Sequence, residues 1–206
     1  MELIVSDLAV IRGGMRVLEG VNFRVASGTA LVLRGPNGIG KTTLLRTLAG
    51  LQLADEGEVT PGPQEMAYAS HADGNKGTLS VSENLEFWAN LHGVTDISPA
   101  LRDFNLEALA ARPAGSLSAG QKRRLGLARM AVTGRRIWLF DEPTVSLDVD
   151  SVALFADAVR RHLGQGGLAV VATHIDLGLE GDMLQLGPFK AIPPEETQDD
   201  FHEAFL

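Results

Sequence analysis

The eight residues GPNGIGKT, Gly35 to Thr42, fit the pattern G-x-x-x-x-G-K-[ST], and they sit between the apolar run TALVLR and the periodic run KTTLLRTLAG. A strand, a glycine-rich loop and a helix in that order form the context in which this pattern cradles phosphate. Such a chain has to bring a buried strand straight into a helix start, and that arrangement belongs to α/β folds with a parallel sheet. Gly35, Pro36, Asn37, Gly38, Ile39 and Gly40 form a loop whose N–H groups surround phosphate oxygens. Lys41 brings charge to the terminal phosphates, the Thr42 hydroxyl suits Mg²⁺, and Thr43 follows in the first helical turn, where the dipole adds to the field.

The rest of the chain can be laid around that unit. Alternating runs over Leu3–Ile11 and Val17–Val25, separated by Gly13–Gly14, predict two strands and a turn. Further strands are predicted over Glu65–Ser70, Arg136–Phe140, Leu168–Thr173 and Asp182–Leu186. The pattern turns helical in VSENLEFWANLHG, with Ser80 or Ser82 as the cap, and continues through NLEALAAR and SAGQKRRLGLARMAV. Residues 72–131 are therefore expected to be a helical insertion in an α/β core, within a single domain of 206 residues. The ending AIPPEETQDDFHEAFL is acidic and carries two prolines, so a loosely held tail or an edge helix is expected there.

Two acids close the strand in RRIWLFDEP. At the carboxyl end of a parallel strand a side chain faces the ligand crevice. Asp141 is expected to hold Mg²⁺ through water, and Glu142 to orient or deprotonate the attacking water. His174 follows another apolar run, AVVATH, where it can donate to the terminal phosphate.

A second helix start, SLSAGQKRR, also suits an anion, because Ser118 is a good N-cap and Gly120 lets a backbone approach closely. Charge narrows the partners. The net charge of −8 argues against a nucleic-acid partner. Cysteine is absent, so disulfides and thiolate metal sites are excluded within this chain. No apolar run approaches the ~20 residues needed to span a bilayer, and MELIVSDLAV lacks a basic, then apolar, secretory start. Membrane association is expected only through a partner.

Taken in order, GPNGIGKT, LSAGQ, LFDEP, the SLD of Ser146–Asp148 and His174 resemble the ATP-binding subunits of ABC transporters over nearly the whole chain. The resemblance implies a P-loop ATPase core with an antiparallel β subdomain and an inserted helical subdomain. It also implies a head-to-tail homodimer with two ATP molecules between the copies, in which Ser118 and Gly120 contact the terminal phosphate of the nucleotide bound by the other copy, with Gln121 supporting the loop. Lys41, Glu142 and His174 are then the catalytic set, with ATP and Mg²⁺ as cofactors.

Two positions depart from the family pattern. Arg12, beside Ile11, falls where the family has an adenine-stacking aromatic, and His71 falls where it has a glutamine. His71 joins Thr42 and Asp141 as a candidate metal ligand. The segments YASH, LSVSENLEFWANLHG and GGLAVVATHIDL resemble the CcmA group, the ATP-binding subunits of the cytochrome c maturation system. That resemblance implies a CcmB-like integral membrane permease with a CcmC-like protein nearby, at the cytoplasmic face of a bacterial inner membrane. Another small ABC transporter with different cargo, and a soluble ABC ATPase that transports nothing, are the alternatives.

Overall fold

A computed structural model describes residues 1–192, and the acidic ending lies outside the described residues from residue 193 on. Strands β1 (Glu2–Arg12) and β2 (Met15–Ala26) pair antiparallel across the Gly13–Gly14 turn. A strand over Ala54–Thr60, β4, covers the other edge of β1. The remaining strands form a parallel sheet: β3 (Ala30–Arg34), β5 (Met66–Ala69), β6 (Ile137–Asp141), β7 (Leu168–Ala172) and β8 (Gly181–Gln185), in the order β5-β6-β7-β3-β8. The helices are α1 (Lys41–Leu48), α2 (Val81–Leu91), α3 (Ser98–Asp103), α4 (Ala119–Ala131) and α5 (Val149–Gly164).

Every residue of IWLFD and LAVVA is buried, because β6 and β7 are covered on both faces. Side chains alternate across a strand, so consecutive residues of β6 enter different cores. Ile137 and Leu139 pack with Leu31, Leu33, Val170 and α1 against the antiparallel sheet. Trp138 and Phe140 pack with Val171 against α2, α4 and α5. The parallel sheet thus separates a nucleotide-loop side from a helical side.

The structure departs from the sequence expectations in three places. Strand β4 was not expected, since ADEGEVT is exposed along almost its whole length and shows no apolar alternation. Its pairing with β1 holds it, and Gly57 is required there because a Cβ would lie 2.4 Å from the Asp7 carbonyl oxygen. The stretch NLEALAAR is not a helix beyond a short 3₁₀ turn over Glu107–Leu109. The left-handed backbone of Asn105 (φ 49°) separates it from α3, and Pro113 stops it on the far side. The long helix α5 was not anticipated at all, whereas α3 lies within the expected helical insertion.

Candidate functional site

Strand β3 delivers the glycine loop to the edge of α1. The N-cap of α1 is Gly40, at φ 118°, and no side chain caps this helix. A Cβ at Gly40 would lie 3.0 Å from the Leu18 side chain, so the loop is drawn tightly onto β2. The first-turn N–H groups of α1 are therefore left for a ligand, whereas α2, α4 and α5 each cap themselves with a side chain.

Lys41 is buried, 7% exposed, yet its ammonium meets no carboxylate among the described residues. Its Nζ donates to the carbonyl oxygens of Gly35 (2.8 Å) and Pro36 (3.4 Å). A buried cation with only neutral partners, two carbonyls and the His174 ring 3.3 Å away, fits an incoming anion. The cleft beside it, about 140 Å³, is lined by Arg12, Asn37, Lys41, Thr42, Asp141 and Glu142, together with neighbouring loop residues.

Asp141, at the end of β6, is buried and accepts a 3.3 Å hydrogen bond from the Tyr68 hydroxyl. Burial, then the charge of Asp141 and this bond, push the Tyr68 hydroxyl well above its usual range, so it remains a donor. Thr42 and Asp141 offer one hydroxyl and one carboxylate. That donor set suits Mg²⁺, which keeps several waters and takes phosphate oxygens. Among the described residues no group of three or more His, Asp or Glu side chains could hold a metal ion without a ligand's help.

Glu142 has a left-handed backbone, φ 47°. Its N–H donates to Ala172 O (2.9 Å), and its Oε1 lies 3.5 Å from His174 Nε2. The same Nε2 is 3.3 Å from Lys41 Nζ and 3.4 Å from Asn37 Oδ1. It can accept from Lys41 or, carrying a proton, donate to Glu142 or Asn37, but not both at once. Arg34, the last residue of β3, donates to the carbonyl oxygens on either side of this histidine, Thr173 O through Nη1 and Ile175 O through Nη2 (3.1 Å). The histidine turn is thereby strapped to the strand that carries the glycine loop.

Helix α4 closes its own start. Ser118 Oγ accepts from Gln121 N (3.3 Å), and Gln121 Oε1 accepts from Ser118 N (3.0 Å). The Ser118 hydroxyl proton remains available as a donor. Ser118, Gly120 and Gln121 do not line the cleft of their own chain. A Cβ at Gly120 would lie 3.4 Å from Ser146 O, so the SLD turn packs against this helix start.

His71 is exposed on the loop leaving β5 and does not line the cleft; its carbonyl oxygen accepts from Arg123 Nη1 (3.2 Å). The structure therefore brings Lys41, Thr42, Asp141, Glu142, His174 and Arg12 together and leaves His71 apart. Sequence reasoning missed Arg34, Tyr68 and Arg123. A charged residue closing the apolar run ALVLR was the available signal for Arg34.

The family described as ABC transporter matches residues 18–145, which span the glycine loop, the α4 start and the acidic end of β6. The chain belongs to the ABC transporter family. Proteins named "Cytochrome c biogenesis ATP-binding export protein CcmA" place it further. The one from Ruegeria pomeroyi is 63% identical over 94% of this chain and 95% of its own length. The one from Paracoccus denitrificans is 62% identical over 98% of both. Within the ABC transporter family the chain therefore falls in the CcmA group. Among solved structures, a putative ABC transporter ATP-binding protein from Pyrococcus furiosus superposes with a TM-score of 0.84 at 26% identity, covering 93% of this chain and all of that one. A nucleotide-free ATP-binding cassette of another ABC transporter superposes at 0.78 with 22% identity, a likeness of fold. This ABC ATPase binds nucleotide and is an ATPase of the ABC transporter type.

Proposed function

We propose that this chain is the ATP-hydrolysing, energy-coupling subunit of a CcmAB-type complex in c-type cytochrome biogenesis, serving haem export or the release of the loaded haem chaperone. The observation that carries this reading is identity above 60% to CcmA proteins over nearly the full length. The convergence of Lys41 and Glu142 on the His174 imidazole, at 3.3 and 3.5 Å from Nε2, supports the chemistry. Residues 1–206 then act as one nucleotide-binding domain, with residues 72–131 as its helical insertion.

In this mechanism the α1 start and Lys41 bind the phosphates of ATP. Thr42 and Asp141 would hold Mg²⁺, which would supply neutralisation of the phosphate charge. An incoming phosphate draws Lys41 away from Nε2, and His174 in the tautomer that carries its proton on Nε2 donates to a terminal oxygen. Glu142 orients and deprotonates the attacking water. Arg12 lines the same cleft, and its guanidinium plane would be available for stacking on the base. Ser118 and Gly120 serve the nucleotide of a second copy, so the working unit is a homodimer.

The membrane partner, a CcmB-like permease with a CcmC-like protein nearby, is served by an exposed apolar face. Leu51, Phe87 and Leu91 are more than half exposed beside a cleft lined by Tyr68, Trp88, His92 and Arg129. No helix among the described residues is long and apolar enough to cross a membrane, which fits peripheral attachment at the cytoplasmic face of an inner membrane through that permease. The test is Glu142→Gln in a strain lacking its own CcmA. ATP binding should persist, turnover should fall about 100-fold or more, a nucleotide-trapped dimer should accumulate, and holo-cytochrome c should be restored only by the parent chain. An unchanged hydrolysis rate would refute the role of Glu142. Full cytochrome c assembly without this chain in that strain would refute the cellular role.

A further inference from the structure

Arg123 lies in α4, five residues after Ser118, in a stretch of three basic residues that reads as solvated surface. It is instead one of the most buried charged side chains, 3% exposed. Its guanidinium binds two separate strand-end segments. One arm reaches the segment after β5: Nη1 donates to Ser70 O (2.8 Å), His71 O (3.2 Å) and Asp73 Oδ1 (3.1 Å). The other reaches the segment after β6: Nη2 donates to Glu142 O (2.9 Å) and Nε to Pro143 O (3.0 Å).

The second arm bears on the chemistry. Glu142 holds a left-handed backbone that an L side chain rarely adopts. Its N–H is pinned by Ala172 O on one side and its C=O by Arg123 on the other. Such a conformation persists only where its surroundings over-determine it, and Arg123 is the side-chain half of that determination. The planar fork matters, because a guanidinium can span both segments at once while an ammonium cannot. The packing leaves no slack on the other arm, since a Cβ at Gly126, one turn along α4, would lie 3.0 Å from Asp73.

We infer that Arg123 is a positioning residue for hydrolysis: it aims the Glu142 carboxylate by fixing its backbone, and it ties that aim to the placement of α4 and of the loop after β5. The inference rests on Glu142 being the general base. It follows that Arg123 gives the α4 start a direct polar link to the Glu142 backbone.

The experiment is a double-mutant cycle on the full chain, purified with its membrane partner where that copurifies. Arg123→Lys keeps the charge and loses the bridge. It should leave nucleotide affinity within about twofold and lower kcat roughly 10- to 100-fold, the scale of a ~1 Å misplacement. In the Glu142→Gln background the same change should lower the residual turnover less than about twofold. Should Arg123→Lys fail to fold, the isosteric Asp73→Asn should give a severalfold loss of kcat with the same non-additivity. Parental kcat in Arg123→Lys, or an equal fractional loss in both backgrounds, would overturn the inference with the base assignment intact. Parental turnover in Glu142→Gln alone would instead sink the base assignment.

Discussion

Two helices of this protein begin with the same device, and only one of them faces a proposed ligand. Ser80 caps α2 by accepting from Glu83 N at 3.1 Å, while Glu83 Oε2 accepts from Ser80 N at 2.7 Å. Ser118 caps α4 with the matching pair at 3.3 and 3.0 Å. Replacing either serine by alanine removes one capping bond and should cost about 1 kcal/mol of stability. For a chain of this size that lowers Tm by roughly 2–4 °C. The structural penalties should therefore be nearly equal, with Ser80→Ala slightly the larger because the bond it loses is shorter, 3.1 against 3.3 Å. The functional penalties should not be equal. Ser118 also offers a hydroxyl proton to a phosphate, a hydrogen bond to a charged group worth about 1.5–3 kcal/mol, so kcat/KM should fall roughly 10- to 100-fold in Ser118→Ala and stay near the parent in Ser80→Ala. Thermal melts and ATP turnover on both variants decide the matter. Equal turnover in the two, at matched fractions folded, would refute the assignment of the α4 start to a nucleotide.

Lys41→Ala should weaken ATP binding itself by roughly 10- to 100-fold, because a charge-assisted contact to phosphate is lost; titration with a fluorescent nucleotide measures it, and parental affinity would contradict the phosphate-loop reading. His162 stacks on Trp138 with ring centroids 3.7 Å apart, and burial holds its imidazole below the usual value of 6.5. The unfolded chain therefore takes up a proton there before the folded one does, so this contribution to stability is complete above pH 6.5 and declines as pH falls below it. Melting curves between pH 7.5 and 5.5 should show a shallower decline for His162→Phe than for the parent. Some slope should remain, since burial also lowers His92.

The features legible in the sequence were those written locally. The glycine loop, the acids ending β6 and the serine caps each depend on residues within about one helical turn or one strand. Strand β4 was hidden because ADEGEVT carries no apolar face, and its strand state comes from β1 alone. Arg34 and Arg123 were hidden for a related reason. The carbonyl groups that give them meaning lie 139 and 141 residues away in the first case and 19 to 53 in the second. A basic residue in a sequence looks the same whether it ends in water or in a ring of peptide oxygens. NLEALAAR shows the reverse error, in which good helix formers were overruled by one left-handed asparagine and a proline.

The parallel sheet sends odd residues of β6 toward the glycine-loop side and even ones toward the helices, so the two apolar cores share a wall but no β6 side chain. A wall of that kind makes the molecule modular. Its helical side can be recut to fit a different membrane protein while Ile137, Leu139 and the phosphate loop behind them stay as they are. Designers could exploit the same partition: a chimera that keeps the odd-numbered face, α1 and α4 with its Arg123 from this chain, and takes α2 and α3 from a relative, changes the docking surface without reopening the nucleotide side.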